Sequence, residues 1–146
     1  MRRMCFAAVC LVVGLAGCPA EEPPACTTVE LDCNPQYVPT FDNVYANTLK
    51  MDCGSERGAC HARGGKGGLS LADPETAHAQ LLVAGRVKPG DPACSEIVVR
   101  THETGTDYEM PPGAPLAPAE QCALVQWIAA GAPGPGEPLP ASGGSR

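Results

Sequence analysis

The sequence predicts an all-α fold: a small domain of short helices and long Gly/Pro loops, stapled by disulfides. Three observations lead there. Helix-start signals recur along the chain, at Thr40, Asp73-Pro74-Glu75, Asp91-Pro92 and Pro118 with Glu120. The 146 residues include 17 Gly and 16 Pro, rich in turns yet short of the roughly 25–30% that marks low-complexity disorder. Nine cysteines accompany only six aromatics (Phe6, Tyr37, Phe41, Tyr45, Tyr108 and Trp127). A core that poor in rings needs help from disulfides, a metal or a cofactor. So many cysteines in so short a chain fit an oxidising compartment better than a reduced cytosol.

Each element has its own reason. Thr40 can cap a first helix whose Phe41, Val44, Tyr45 and Leu49 fall on one face. Asp73, Pro74 and Glu75 supply a cap, a first-position proline and a first-turn acid. Ala77, Leu81 and Ala84 then share a face, and Gly85 ends that helix. Asp91-Pro92 repeats the signal before Ala93 to Arg100, where the β-branched run Ile97-Val98-Val99 makes strand the competing reading. Pro118 opens the last helix. Cys122, Val125, Ile128 and Ala129 form its inward stripe, with Trp127 beside the stripe and Gly131 as the stop. Residues 54–72 read as a Gly-rich loop, and residues 101–117 as a second loop containing Met110-Pro111-Pro112. No internal repeat is present.

The two ends read differently from the middle. Met1-Arg2-Arg3 is a basic start, and Met4 to Leu15 is nearly all apolar. That run is too short for a bilayer, which takes about 20 residues. Small residues follow at Leu15-Ala16-Gly17-Cys18, as at a secretory cut. This run resembles the lipobox of bacterial lipoproteins. The resemblance implies a signal peptide over 1–17, cleavage before Cys18, and lipid on the Cys18 thiol and new amino group. The alternative is an ordinary signal peptide cut nearby, with Cys18 left as a thiol. Pro19 rather than Asp after the lipidated residue points by analogy to the outer membrane, facing the periplasm or the cell surface. Residues 18–39 read as a Pro/Cys-containing tether in which Cys26 and Cys33 close a small loop. Residues 40–133 form the domain, and 134–146 read as a disordered tail. Beyond Cys18 no apolar stretch is long enough to span a membrane. The net charge of -6 offers no basic stripe for nucleic acid. An acidic surface suits instead a basic redox partner, with salt-sensitive association.

The chemistry-bearing residues come as an ordered series. Cys60-His61 follows Cys53, and Gly64-Gly65-Lys66-Gly67-Gly68-Leu69-Ser70-Leu71 lies downstream. Then come Pro89-Gly90-Asp91-Pro92 with Ser95, Met110-Pro111-Pro112, and finally Trp127-Ile128 with Gly131-Ala132. Over about residues 40–133 the series resembles small class I cytochromes c, in particular the cytochrome-like domain of planctomycetes and of myxobacterial lipoproteins. The resemblance implies haem c, attached through Cys53 and Cys60, with His61 as proximal ligand, Met110 as distal ligand, and electron transfer as the task. Imidazole is a strong ligand for haem iron, and a thioether opposite it raises the potential. The proline pair after Met110 stiffens the loop that presents the sulfur.

One feature departs from that pattern. Six residues separate Cys53 from Cys60, where the haem motif has two. Three outcomes stay open: two thioethers around a longer loop, one thioether from Cys60, or no haem. The haem-free reading is a disulfide-stapled module of the same fold with a binding or structural role. Six cysteines beyond Cys18 allow 15 pairings. The expected set is 26–33 and 53–60, each closing a short loop, and 94–122, which would staple the two C-terminal helices. With haem on Cys53 and Cys60, the candidate disulfide cysteines are Cys26, Cys33, Cys94 and Cys122. A zinc site at Cys53, Cys60 and His61 lacks a fourth ligand at good spacing. Met110 alone reads as a loop or core methionine. His78 reads as a helix-surface residue and His102 as a loop residue, either of them an alternative sixth ligand. Glu103, Asp107 and Glu109 read as a solvated loop. No Ser-His-Asp pattern, phosphate loop or carboxylate pair stands out, so an electron carrier or binding module is expected rather than an enzyme.

Overall fold

The computed structural model describes residues 22–54, 60–62 and 65–140. The signal segment and Cys18 lie outside the described residues. Four α-helices make the frame, and no strand occurs among the described residues. Helix α1, Phe41–Val44, runs straight on into a π-helical stretch, Tyr45–Cys53. Helices α2, Pro74–Leu81, α3, Glu96–His102, and α4, Pro118–Ala129, follow. Short 3-10 turns sit at Lys66–Gly68 and Val83–Gly85.

The start signals act largely as expected. The Thr40 hydroxyl accepts from the Asn43 amide, and Phe41, Val44, Tyr45 and Leu49 are all buried. The Asp73 carboxylate accepts from the Thr76 amide at 2.8 Å, with Pro74 in the first turn. At the third site the helix is real but starts later. Asp91 caps a turn instead, its carboxylate taking the Cys94 amide at 3.2 Å, and α3 begins at Glu96. Ser95 sets that boundary. Its Oγ accepts from the Lys88 amide and donates to the Asp91 carbonyl, both at 2.8 Å. The β-branched run is therefore helical, with Val98 and Val99 buried.

Helix α4 is the centre of the core, and here the expectation needs correction. Ala123, Leu124, Trp127 and Ile128 are fully buried, so the helix is covered on more than one face. Trp127 is not beside an inward stripe. Its ring packs at a tilt against Phe41, 5.3 Å between centroids, and it donates its indole N–H to the Pro133 carbonyl at 3.0 Å. A single stripe holds only for a helix at a surface, and α4 is not one.

His78 also differs from its surface reading. It packs edge-on against Phe41 at 4.9 Å and donates from Nε2 to the Ala132 carbonyl at 3.0 Å. The same corner holds residues 133–137. The Gly136 amide donates to Asp42 at 3.1 Å, so residues 133–137 lie against α1 rather than trailing away. Residues 141–146 lie outside the described residues.

The disulfide pairing is the largest correction. Cys26 joins Cys94, and Cys33 joins Cys122. Neither 26–33 nor 94–122 forms, and Cys53 and Cys60 form no disulfide with each other. The segment read as a tether is strapped to the helices instead. The Thr27 amide donates to Ala93 at 2.8 Å and the Gln36 amide to Ala119 at 3.0 Å. Gln126 of α4 donates to the Leu31 and Cys33 carbonyls at 3.0 and 3.1 Å. These backbone bonds carry each cysteine to a partner far away in sequence. Tyr37 completes the strap through its hydroxyl bond to the buried Thr48.

Candidate functional site

Beside this core lies a cavity of about 360 Å³. Its walls are mostly aliphatic: Leu49, Leu69, Leu71, Leu81 and Ile97. Cys53, His61 and Met110 line it too, with Arg86 and Arg100. The volume lies in the usual range for a small-molecule site, roughly 300–1,000 Å³.

His61 reaches the cavity because several backbone bonds hold its loop. Its amide donates to the Cys53 carbonyl at 3.0 Å, and its carbonyl accepts from the Leu71 amide at 2.6 Å. The imidazole is oriented as well, since Nδ1 donates to the Lys66 carbonyl at 3.1 Å. Nδ1 is the donor in that bond, so in the neutral tautomer the lone pair lies on Nε2, the arrangement of a metal-binding histidine.

Gly65 makes this fold of the loop possible. A Cβ there would sit 2.4 Å from the Leu69 carbonyl oxygen and 2.6 Å from the His61 Cα. Both obstacles are backbone, so neither can swing aside. Gly65→Ala is therefore expected to cost about 1–3 kcal/mol and to move His61, visible as a lower urea midpoint and a shifted His61 ring NMR signal.

Met110 arrives from the far side of the sequence. Its amide donates to the Arg100 carbonyl at 2.8 Å, which pins the loop to the end of α3. The preceding acids are not all solvated. Glu109 is buried and its carboxylate accepts from the Gly105 amide at 2.7 Å, closing the turn that delivers Met110. Glu103 accepts from the Thr27 hydroxyl at 3.2 Å, a link to the strap. His102 is exposed at the last position of α3. Neither His78 nor His102 is among the residues lining the cavity.

Cys53 ends the π-helical stretch and lies on the cavity wall. The wider winding is carried there by the Gly54 amide, which donates five residues back to Leu49 at 2.7 Å. Burial pushes the Cys53 thiol up from 9.0 to about 12, helped by the charges of Asp52, an ionised Cys60 and Glu120. The folded protein thus keeps this proton where the unfolded chain gives it up. Stability from Cys53 is full below pH 9 and is lost as pH rises from about 9 towards 12. Urea midpoints measured from pH 8 to 10.5 should fall for the ligand-free protein, and fall less for Cys53→Ala.

Two cavity residues were not legible in the sequence. Arg86 donates to the Gln80 carbonyl at 3.2 Å and the Gly67 carbonyl at 2.9 Å, tying α2 to the glycine turn. Arg100 pairs with Glu96 at 2.8 Å. Both are half-buried at the edge of an apolar space. No motif marks them, because their shared position arises only when α3 packs beside the glycine loop.

Among the described residues, no group of three or more His, Cys, Asp or Glu is placed to hold a metal ion, and no helix is long and apolar enough to cross a membrane. Comparison with family models, with curated proteins and with solved structures finds no match.

Proposed function

We propose that this chain is an envelope-anchored, c-type cytochrome-like lipoprotein that binds haem in this cavity and carries electrons. The single observation behind it is that His61 and Met110, 49 positions apart in the sequence, line one apolar cavity together with Cys53. The donor set suits the group. An imidazole with Nδ1 tied to a carbonyl and a thioether from a separate loop are the kinds of ligand a haem iron takes. Aliphatic walls suit a porphyrin ring, and Arg86 and Arg100 suit its carboxylates. Haem would supply a one-electron couple. The protein's own residues would bind it, orient it and keep water from its faces.

The anchor is read from Cys18 and its lipobox-like surroundings. Two disulfides fit an oxidising compartment. The acidic surface suits a basic partner protein, and nothing in the charge pattern suits nucleic acid.

The test is a reduced-minus-oxidised visible spectrum of the protein made in a host that matures c-type haem. A sharp α-band with one haem per chain is expected. Colourless protein with a 53–60 crosslink in non-reducing peptide maps would favour the haem-free, disulfide-stapled module instead.

A further inference from the structure

We infer that the Cys26–Cys94 bridge is a site of selective thiol–disulfide exchange, which a dithiol opens while Cys33–Cys122 and the cavity stay intact. The two bridges span 68 and 89 positions, so chain entropy scarcely separates them. Access separates them. Exchange requires a thiolate to reach one sulfur of the bridge, and shelter slows it. Cys26 is exposed and Cys94 half-buried. A hollow of about 250 Å³ adjoins this bridge, lined by Cys94 and by Pro23, Pro24 and Ala25 just ahead of Cys26. Lys88 lines it too, a cation that favours a thiolate entering or leaving there. Glu96, the acid on the same wall, is paired with Arg100 at 2.8 Å. The other bridge is sheltered. Cys122 is only 4% exposed, Cys33 is half-buried, and the Gln126 amide lies 3.8 Å from the Cys33 sulfur.

The two ends of the strap also differ in what else holds them. Around Cys33 the chain keeps the two Gln126 bonds, the Gln36 amide bond to Ala119 and the Tyr37 bond to Thr48. Ahead of Leu31 it has the two Thr27 bonds, to Ala93 and Glu103, and the partial packing of Val29. Opening Cys26–Cys94 therefore frees the part ahead of Leu31 and leaves the rest strapped. The cavity wall is held without that bridge. Ser95 fixes the turn before α3 through Lys88 and Asp91, and the Ile97 amide donates to the Arg86 carbonyl at 3.0 Å. Glu96, Ile97 and Arg100 thus keep their places along the cavity.

The exchange balances with a dithiol as the reductant. One of its thiolates attacks the exposed Cys26 sulfur and forms a mixed disulfide, while Cys94 leaves as a thiolate and takes a proton. The second thiolate then displaces the Cys26 sulfur, which is protonated in turn, and the reductant closes into its own disulfide. Two electrons and two protons pass from the dithiol to the bridge.

The experiment titrates the full chain, purified without reductant, with dithiothreitol, and quenches with iodoacetamide. Peptide mass spectrometry reads each cysteine, and near-ultraviolet circular dichroism reads the packing of Trp127. Cys26 and Cys94 are expected to take label together, about tenfold or more faster than Cys33 and Cys122. The Trp127 signal should hold through that first phase, and cleavage after Glu30 by a glutamate-specific protease should quicken in step with it. The paired variant Cys26→Ser, Cys94→Ser should keep the Trp127 signal and show the fast cleavage without reductant. Should that variant fail to fold, the titration of the unaltered chain decides. Bridges that open together, Cys33–Cys122 opening first, or loss of the Trp127 signal as Cys26–Cys94 opens would each overturn the inference. None of these outcomes touches the haem reading, which stands or falls on the visible spectrum.

Discussion

His61→Ala is expected to abolish the sharp α-band, and Met110→Ala to keep it while lowering the midpoint potential by about 0.1–0.3 V, part of the roughly 0.8 V that axial ligands control. The two differ because they hold different positions. His61 belongs to a loop fixed by four contacts: its own amide, its carbonyl, its Nδ1 and the close packing at Gly65. No other histidine among the described residues lines the cavity, and His78 is engaged with Ala132 and Phe41. Met110 is delivered by one backbone bond to Arg100 and by the Glu109 turn. On the proposed haem, its loss would exchange a thioether for water or a weaker ligand and so weaken the stabilisation of ferrous iron. Spectroelectrochemistry of the two variants beside the unaltered protein separates the outcomes. An unchanged spectrum and potential in Met110→Ala would remove Met110 from the ligand set.

Paired replacement of Cys33 and Cys122 by serine is expected to cost about 2–5 kcal/mol, a fall in Tm of about 10–20 °C for a domain of this size. The bridge spans 89 positions, so it removes much freedom from the unfolded chain. It also anchors a segment with little core of its own. Leu31 and Val38 are exposed, and the strap holds on through Tyr37, Thr27 and the two bonds from Gln126. Calorimetry with and without reductant checks this. A variant melting within a few degrees of the unaltered protein would show that the strap is decoration on a self-sufficient helical core.

What the sequence made legible depended on the range of the interaction. Helix starts are local: Thr40, Asp73 and Pro118 each act within a few residues, and each reads correctly. The start of α3 escaped because Ser95 is held by Lys88 and Asp91, a competition between two caps that no short pattern resolves. The pairing of cysteines escaped for a related reason. Nearness in sequence favours 26–33, but extended backbone bonds to Ala93 and Ala119 carry the two cysteines apart. Trp127 read as peripheral because stripe arguments assume one solvent face, and α4 has little of one. At the cavity, the Cys-His pair and the Met-Pro-Pro loop were visible as motifs. The arginines and the buried Glu109 were not, since each acquires its place only through tertiary packing.

The Cys26–Cys94 bridge also sets a distance. If lipid sits on Cys18, eight positions separate it from Cys26, where the bridge to Cys94 joins the chain to the domain. Fully extended at about 3.3–3.6 Å per residue, that stretch reaches at most about 29 Å. A tether running to residue 39 would reach about 75 Å by the same measure. On that proposed anchor, the strap would more than halve the radius open to the domain. A short leash favours a donor or acceptor that shares the same membrane, where confinement raises the effective concentration. On the proposed anchor at Cys18, reducing the two bridges and freeing the strap would lengthen that reach.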